Sequence, residues 1–130
     1  MISVVFVDDN DIDLSFDVIV ARKLDGSLPV VSLPSGQALL DFLSAPERTE
    51  ECCVFLDINM PVMNGFETLE NIQKSQLNLD GVSIYMLSSS MDPEDERKAL
   101  SFPFVKGYVS KPLSRQSLQA SLDSTRPPST

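Results

Sequence analysis

The sequence predicts a single α/β domain, in which a doubly wound five-stranded parallel sheet carries helices on both faces. Short β-rich apolar runs alternate five times with stretches whose apolar residues recur at helical spacing. The chain of 130 residues also has the length of one compact domain. Strands that alternate regularly with helices favour a parallel sheet covered on both faces, so these two observations give the fold class.

The beginning of the chain supplies a strand and a helix. Ile2–Val7 is apolar and β-rich, and it ends at the polar run Asp8-Asp9-Asn10-Asp11. A helix is predicted over Asp11–Leu24 because apolar residues recur there at helical spacing. These residues are Ile12, Phe16, Ile19 and Val20.

The second and third strands are separated by a capped helix. Val30–Leu33 is the second strand, and Ser35 is a suitable cap for the helix after it. Cys52–Leu56 is continuously apolar, as expected of a strand buried on both faces. Its adjacent cysteines, Cys52 and Cys53, point to opposite faces of such a strand, so we expect both to be buried and reduced.

The later elements are delimited by breaking and capping residues. A third helix follows the Asn64-Gly65 pair. Val82–Leu87 is the fourth strand, and the next helix begins at an Asp92-Pro93 cap and reaches about Leu100. Val105–Ser110 is the fifth strand.

The carboxyl-terminal part of the chain contains a last helix and a tail. Ser114 can cap this helix. Residues 124–130 have the composition of a flexible tail. We therefore expect one domain over residues 1–123.

The composition disfavours several classes of function. The net charge of −9 disfavours direct binding to nucleic acid or to an anionic membrane. No apolar run is long enough to cross a bilayer and the amino terminus is a poor signal peptide, so we expect a cytoplasmic protein. The chain has no histidine, which excludes a Ser-His-Asp triad and histidine-ligated zinc. Any phosphohistidine chemistry must therefore use a histidine of another protein.

Polar residues follow four of the predicted strands. They are Asp8 and Asp9 after the first strand, Asp57 after the third, Ser88 after the fourth and Lys111 after the fifth. The carboxyl ends of parallel strands meet at one edge of the sheet, here called the carboxyl edge, so we expect these residues to be neighbours. Carboxylates about 4 Å apart repel by roughly 4 kcal/mol. Positive charge must offset this repulsion if the carboxylates are to stay ionised, and a metal cation and the Lys111 ammonium would supply it.

The residue types at the carboxyl edge favour phosphoryl chemistry. Oxygen donors without histidine or thiolate favour Mg²⁺, and Asp9, Asp57 and one backbone carbonyl would suffice to bind it. A carboxylate beside Mg²⁺ can attack a phosphoryl group. Lys111 would neutralise charge on the transferring oxygens, and the Ser88 hydroxyl would donate to one of them.

Four segments resemble the receiver domain of two-component response regulators, over nearly the whole chain. The most specific is Val54-Phe-Leu-Asp-Ile-Asn-Met-Pro-Val-Met-Asn-Gly-Phe66, with a proline four and a glycine eight residues after Asp57. The others are Val7-Asp-Asp-Asn10, Met86-Leu-Ser-Ser89 and Gly107-Tyr-Val-Ser-Lys-Pro112. The resemblance implies a flavodoxin-like sheet with strand order 2-1-3-4-5. It also implies a stand-alone domain similar to chemotaxis regulators, as a monomer or weak dimer.

The resemblance further implies how a phosphoryl group would be received. Asp57 would be phosphorylated by the phosphohistidine of a histidine kinase or of a histidine phosphotransfer protein. Asp9, Asp57 and the backbone carbonyl of Asn59 would bind Mg²⁺, and Asp8 would act mainly through a metal-bound water. Such a domain is a signalling module, which catalyses only its own phosphoryl transfer and slow autodephosphorylation.

The resemblance also implies a conformational switch. Lys111 and Ser88 would contact the phosphoryl oxygens, and Ser88 and Tyr108 would move inward on phosphorylation. The face formed by the fourth helix, the fifth strand and the fifth helix would then change its affinity for an output protein. The Lys111-Pro112 peptide bond is often cis in such domains.

Three alternatives are open. An aspartate-nucleophile phosphohydrolase usually has a second, acid–base aspartate two residues after the first, where this chain has Asn59. A flavin-binding domain of the same topology needs a phosphate-binding loop after the first strand, where Asp8-Asp9-Asn10-Asp11 would repel phosphate. The chain could also be a receiver fragment of a larger hybrid kinase or transcription factor, because its Pro127-Pro128 end fits a linker.

Overall fold

Strands and helices alternate along the whole described part of the chain. A computed structural model of the protein describes residues 2–45, 51–90 and 92–125. The strands are β1 (Ile2–Val7), β2 (Val30–Leu33), β3 (Glu51–Asp57), β4 (Val82–Ser88) and β5 (Val105–Ser110). The helices are α1 (Asp11–Leu24), α2 (Gly36–Ser44), α3 (Gly65–Lys74), α4 (Pro93–Leu100) and α5 (Arg115–Thr125). Within the described ranges, no helix combines the length and apolarity needed to cross a membrane.

All neighbouring strands are parallel, and their order across the sheet is β2-β1-β3-β4-β5. This confirms the predicted fold class and strand order. In the central pair, Val7 of β1 lies opposite Leu56 of β3. Asp8 and Asp57 therefore leave adjacent strands at the same height, which makes their side chains neighbours at the carboxyl edge.

The core has two layers, one on each face of the sheet. One cluster packs β-strand residues such as Val5 and Val7 against α2, α3 and α4. The other packs the alternate residues Val4 and Phe6 against α1 and α5. Helices therefore cover both faces, as the sequence predicts.

The adjacent cysteines of β3 follow the same alternation. Cys52 belongs to the cluster beneath α2, α3 and α4, and Cys53 belongs to the cluster beneath α1 and α5. Both are buried and neither forms a disulfide. The expectation that both cysteines are buried, on opposite faces of the strand, is confirmed.

Helix α1 has the predicted bounds, but most of the residues that predicted it are exposed. Its buried residues are Leu14, Asp17, Val20 and Ala21. By contrast, Ile12, Phe16 and Ile19 are 79, 44 and 51% exposed. The face of α1 that packs on the sheet and α5 is the one carrying Leu14 and Ala21, so the periodicity of Ile12, Phe16 and Ile19 marks the solvent side.

Helix caps largely follow the predictions. Ser35 Oγ accepts from the backbone of Ala38 at 3.1 Å, and Asp92 caps α4 by accepting from Glu94 at 2.9 Å. Ser114 Oγ accepts from the backbone of Ser117 at 3.0 Å. The bond between Lys111 and Pro112 is cis.

The carboxyl-terminal boundary is a correction. Helix α5 continues to Thr125, so Ser124 and Thr125 are helical instead of belonging to the tail predicted for residues 124–130. Thr125 Oγ1 donates to the carbonyl of Ser121 at 2.9 Å and lies 3.3 Å from the Tyr85 hydroxyl. These contacts extend the helix past its last apolar residue, where composition alone marks an end. The rest of the predicted tail, 126–130, lies outside the described residues.

Candidate functional site

The end of β1 places two carboxylates at the carboxyl edge. Asp8 is 2% exposed, and its carboxylate accepts from the backbone N–H of Asn10 at 2.9 Å. Asp9 is exposed. Asn10 in turn caps α1 by accepting from the backbone of Ile12 and Asp13. The turn that begins the helix therefore also holds the Asp8 carboxylate in place.

The end of β3 places Asp57 beside them. Asp57 is 4% exposed. A Cβ added to Gly65, the first residue of α3, would lie 2.7 Å from the Asp57 carbonyl oxygen and 2.9 Å from the Cα of Ile58. Only a glycine lets α3 begin this close to the strand end, which is a physical reason for the glycine eight residues after Asp57.

The three acidic residues form one cluster. Asp8, Asp9 and Asp57, here called the acidic cluster, each offer a carboxylate oxygen, and these atoms lie within 4.8 Å of one another. The donors are all oxygens, which suits a hard divalent cation such as Mg²⁺. The backbone N–H of Asn59 donates a hydrogen bond to the Asp57 carboxylate.

Lys111, just after β5, lies among the carboxylates. Its Nζ is 3.0 Å from Asp8 Oδ2, 3.2 Å from Asp57 Oδ1 and 3.1 Å from Asp13 Oδ2. Residues about 50 and 100 positions apart in the sequence thus meet at one point, as predicted from the strand ends.

The electrostatics of the site match this geometry. Burial, followed by the charge of Asp8, raises the pKa of Asp57 from 3.8 to about 6, while Lys111 opposes the rise. Burial alone would lower the pKa of Lys111. Its hydrogen bond to Asp8 and the charge of Asp57 outweigh burial, so the pKa of Lys111 lies above its ordinary value. At neutral pH the site therefore contains an ionised Asp57 carboxylate and an ammonium.

Ser88 at the end of β4 and Tyr108 in β5 are both hydrogen-bonded to Ser90, a residue of the loop after β4. The Ser88 side chain is 1% exposed, and its Oγ accepts from the backbone N–H of Ser90 at 3.0 Å. The partly buried Tyr108 donates its hydroxyl to the carbonyl of Ser90, also at 3.0 Å. In this structure both hydroxyl groups therefore bond to the loop between β4 and α4.

Two acidic residues of α1 were not predicted as part of the site. Asp13 pairs with Lys111, and Asp17, one turn further on, is 4% exposed. Both line a cavity of about 350 Å³ between α1 and the segment after β5. The sequence carries one signal for Asp17, namely an acid at helical spacing with Leu14 and Ala21, but this face of α1 was not identified as the buried one.

Asp17 gives the metal-free protein a pH-dependent stability. Burial, followed by the charge of Asp8, raises the pKa of Asp17 from 3.8 to about 7, while Lys111 opposes the rise. Between these values the folded chain keeps a proton that the unfolded chain has lost. Stability therefore falls as the pH rises from 3.8 to about 7, and the loss is complete above that range.

We accordingly expect Asp17→Asn to stabilise the metal-free protein at high pH only. The free energy of unfolding should be unchanged below pH 3.8 and should increase by up to about 4 kcal/mol above pH 7. Urea unfolding in a chelator across this pH range measures the difference, with the exposed Asp11→Asn as the matched control. An equal gain at every pH would contradict the assignment of the effect to ionisation of Asp17.

Comparison with known proteins adds independent findings. The family model described as response regulator receiver domain matches residues 4–123. A curated protein, the probable methanogenesis regulatory protein FilR2 of Methanothrix harundinacea, is 28% identical over 123 residues, which cover 92% of this chain and 78% of that protein.

Solved structures agree with the family model. A two-component response regulator from Cytophaga hutchinsonii has a TM-score of 0.84 at 30% identity, covering 96% of each chain. A response regulator receiver protein from Dyadobacter fermentans has a TM-score of 0.84 at 26% identity, covering 98% of this chain and all of that one. Chemotaxis protein CheY4 of Vibrio cholerae has a TM-score of 0.73 at 26% identity, covering 97% and 99% of the two chains.

Proposed function

The chain belongs to the response regulator receiver family, whose members are phosphorylation-dependent signalling modules of two-component systems, and we propose that its phosphoryl acceptor is Asp57. Receiver domains interact with histidine kinases or histidine phosphotransfer proteins. We infer that such a partner supplies the phosphoryl group, because this chain has no histidine of its own. Membership of this signalling family argues against the flavin-binding and phosphohydrolase alternatives.

One observation carries this proposal. Asp57 is nearly buried, belongs to the acidic cluster and lies 3.2 Å from the Lys111 ammonium. A carboxylate with a cation site on one side and a fixed ammonium on the other is arranged to attack phosphorus and to neutralise the transferring oxygens.

The acidic cluster is the proposed Mg²⁺ site. Receiver domains bind Mg²⁺ at an acidic pocket, and the oxygen donors of Asp8, Asp9 and Asp57 fit that ion. The backbone carbonyl of Asn59 is the fourth proposed contributor. When bound, Mg²⁺ would neutralise charge that develops on the phosphoryl oxygens.

The remaining residues have proposed roles in the transfer itself. An Asp57 oxygen forms a bond to phosphorus while the bond from phosphorus to the donor imidazole nitrogen breaks, and the imidazole takes a proton from solvent. Lys111 holds one phosphoryl oxygen, and the Ser88 hydroxyl turns from Ser90 to another. Tyr108 then leaves Ser90, which changes the face formed by α4, β5 and α5 toward an output protein.

Labelling with acetyl phosphate tests the proposed function. In the presence of Mg²⁺ we expect one phosphoryl group per chain, in the peptide that contains Asp57 and sensitive to hydroxylamine as an acyl phosphate. With a chelator the labelling should be almost lost, because the acidic cluster would then repel the incoming phosphate. Labelling on a serine, or equal labelling with and without Mg²⁺, would contradict the proposal.

A further inference from the structure

The Lys111 ammonium is held by three carboxylates of different elements. An ammonium has three protons to donate, and its contacts are Asp8 at 3.0 Å, Asp13 at 3.1 Å and Asp57 at 3.2 Å. Asp8 follows β1, Asp57 ends β3, and Asp13 lies in the first turn of α1. The ion pairs therefore do not all depend on the same part of the fold.

The three partners differ in what else they can bind. Asp8 and Asp57 belong to the acidic cluster, whereas Asp13 does not. A divalent cation held by the cluster would draw on the carboxylates of both Asp8 and Asp57 and would repel the nearby ammonium. Asp13 is therefore the one of the three ion-pair partners of Lys111 that lies outside the proposed cation site.

We propose that Asp13 is a positioning residue, which keeps the Lys111 ammonium at the carboxyl edge when a divalent cation engages Asp8 and Asp57, before the phosphoryl group arrives. The inference rests on the proposed function of Asp57 and adds a residue that acts through Lys111. Without Asp13 the flexible lysine side chain would turn toward solvent in the cation-bound protein, because the cation would compete for its other two partners and repel it.

The neighbouring acids of α1 do not share this role. Asp17 faces the same cavity but has no ion pair within salt-bridge distance of Lys111 among the described residues. Asp11 lies in the first turn of α1 with Asp13, is exposed, and has no such pair with Lys111. Asp11→Asn therefore removes the same charge from the same helical turn and is the matched control for Asp13→Asn.

The first test is the labelling rate at saturating acetyl phosphate and saturating Mg²⁺. We expect Asp13→Asn to slow labelling roughly tenfold, as removal of an outer supporting carboxylate commonly does, and Asp11→Asn to leave it unchanged. Asp13→Glu, which restores a carboxylate, should recover part of the rate. In a Lys111→Met background, Asp13→Asn should have no further effect, whereas an equal slowing there would show that Asp13 does not act through Lys111.

The second test does not depend on phosphorylation. Ammonium protons of a lysine held by acceptors are visible in ¹⁵N-edited NMR spectra at low temperature. In the wild-type protein the Lys111 signal should persist with and without Mg²⁺. In Asp13→Asn it should persist only without Mg²⁺, and a signal that survives Mg²⁺ saturation would overturn the inference.

The two tests separate this inference from the proposed function. If the wild-type protein takes up no phosphoryl group on Asp57, the proposed function fails, and the NMR comparison still decides the role of Asp13. If the wild-type protein is labelled and Asp13→Asn is labelled equally fast, the inference about Asp13 fails alone.

Discussion

Asp57→Ala is expected to abolish labelling by acetyl phosphate in the presence of Mg²⁺. The variant lacks the oxygen that would bond to phosphorus, and the other acids of the cluster, Asp8 and Asp9, leave a different strand. Their carboxylates lie near that of Asp57 in the acidic cluster, but they do not occupy the position of the Asp57 carboxylate at the end of β3. We therefore do not expect them to accept the phosphoryl group in its place. Quantitative phosphoprotein analysis of the intact chain measures the result.

The control for this prediction is Asp80→Ala, an exposed acid in the loop before β4. It removes the same side chain from the same protein and should be labelled like the wild type. Circular dichroism should show that Asp57→Ala is folded. A folded Asp57→Ala protein that is still labelled at the wild-type rate would remove Asp57 from its proposed role.

Lys111→Met is expected to slow labelling by about 10²–10³-fold, the usual loss when one donor to a developing charge is removed. Methionine keeps much of the length of the lysine side chain but has no ammonium. Binding of Mg²⁺ should become tighter at the same time, because the positive charge 3.0 Å from Asp8 and 3.2 Å from Asp57 is gone. Tighter Mg²⁺ binding by the slow variant would show that its cation site is intact. The slower labelling would then be due to the missing ammonium and not to a damaged site.

Lys106→Met is the matched control, because Lys106 is an exposed lysine in β5, the strand that Lys111 directly follows. We expect it to label and to bind Mg²⁺ like the wild type. Labelling of Lys111→Met as fast as that of Lys106→Met would show that the ammonium does not stabilise the transferring group.

The sequence predicts the fold of this protein well because the local signals agree. The continuous apolar run of β3 and the alternation of strand and helix leave few topologies open, and the meeting of Asp8, Asp57 and Lys111 follows from parallel strands. These features depend on the order of strands and helices along the chain and on the parallel direction of the strands, and both can be predicted from the sequence.

Other features depend on packing that no single segment displays. Which side of α1 is buried is decided by the sheet and by α5, so the spacing of Ile12, Phe16 and Ile19 identified the helix and not its buried face. The pairing of Asp13 with Lys111 depends on that orientation. The two helical residues at the end of α5 depend on contacts with Tyr85 and Ser121, which lie outside the predicted tail.

Two hydrogen bonds of Ser90 link the side chains of Ser88 and Tyr108, which lie in different strands. Its amide is held by the Ser88 hydroxyl and its carbonyl by the Tyr108 phenol. If the hydroxyl turns away, the amide loses its acceptor, and a shift of this one exposed backbone unit then carries the carbonyl away from the phenol. In the proposed switch, a structural change would therefore pass from the interior strand β4 to the edge strand β5 through the backbone of Ser90.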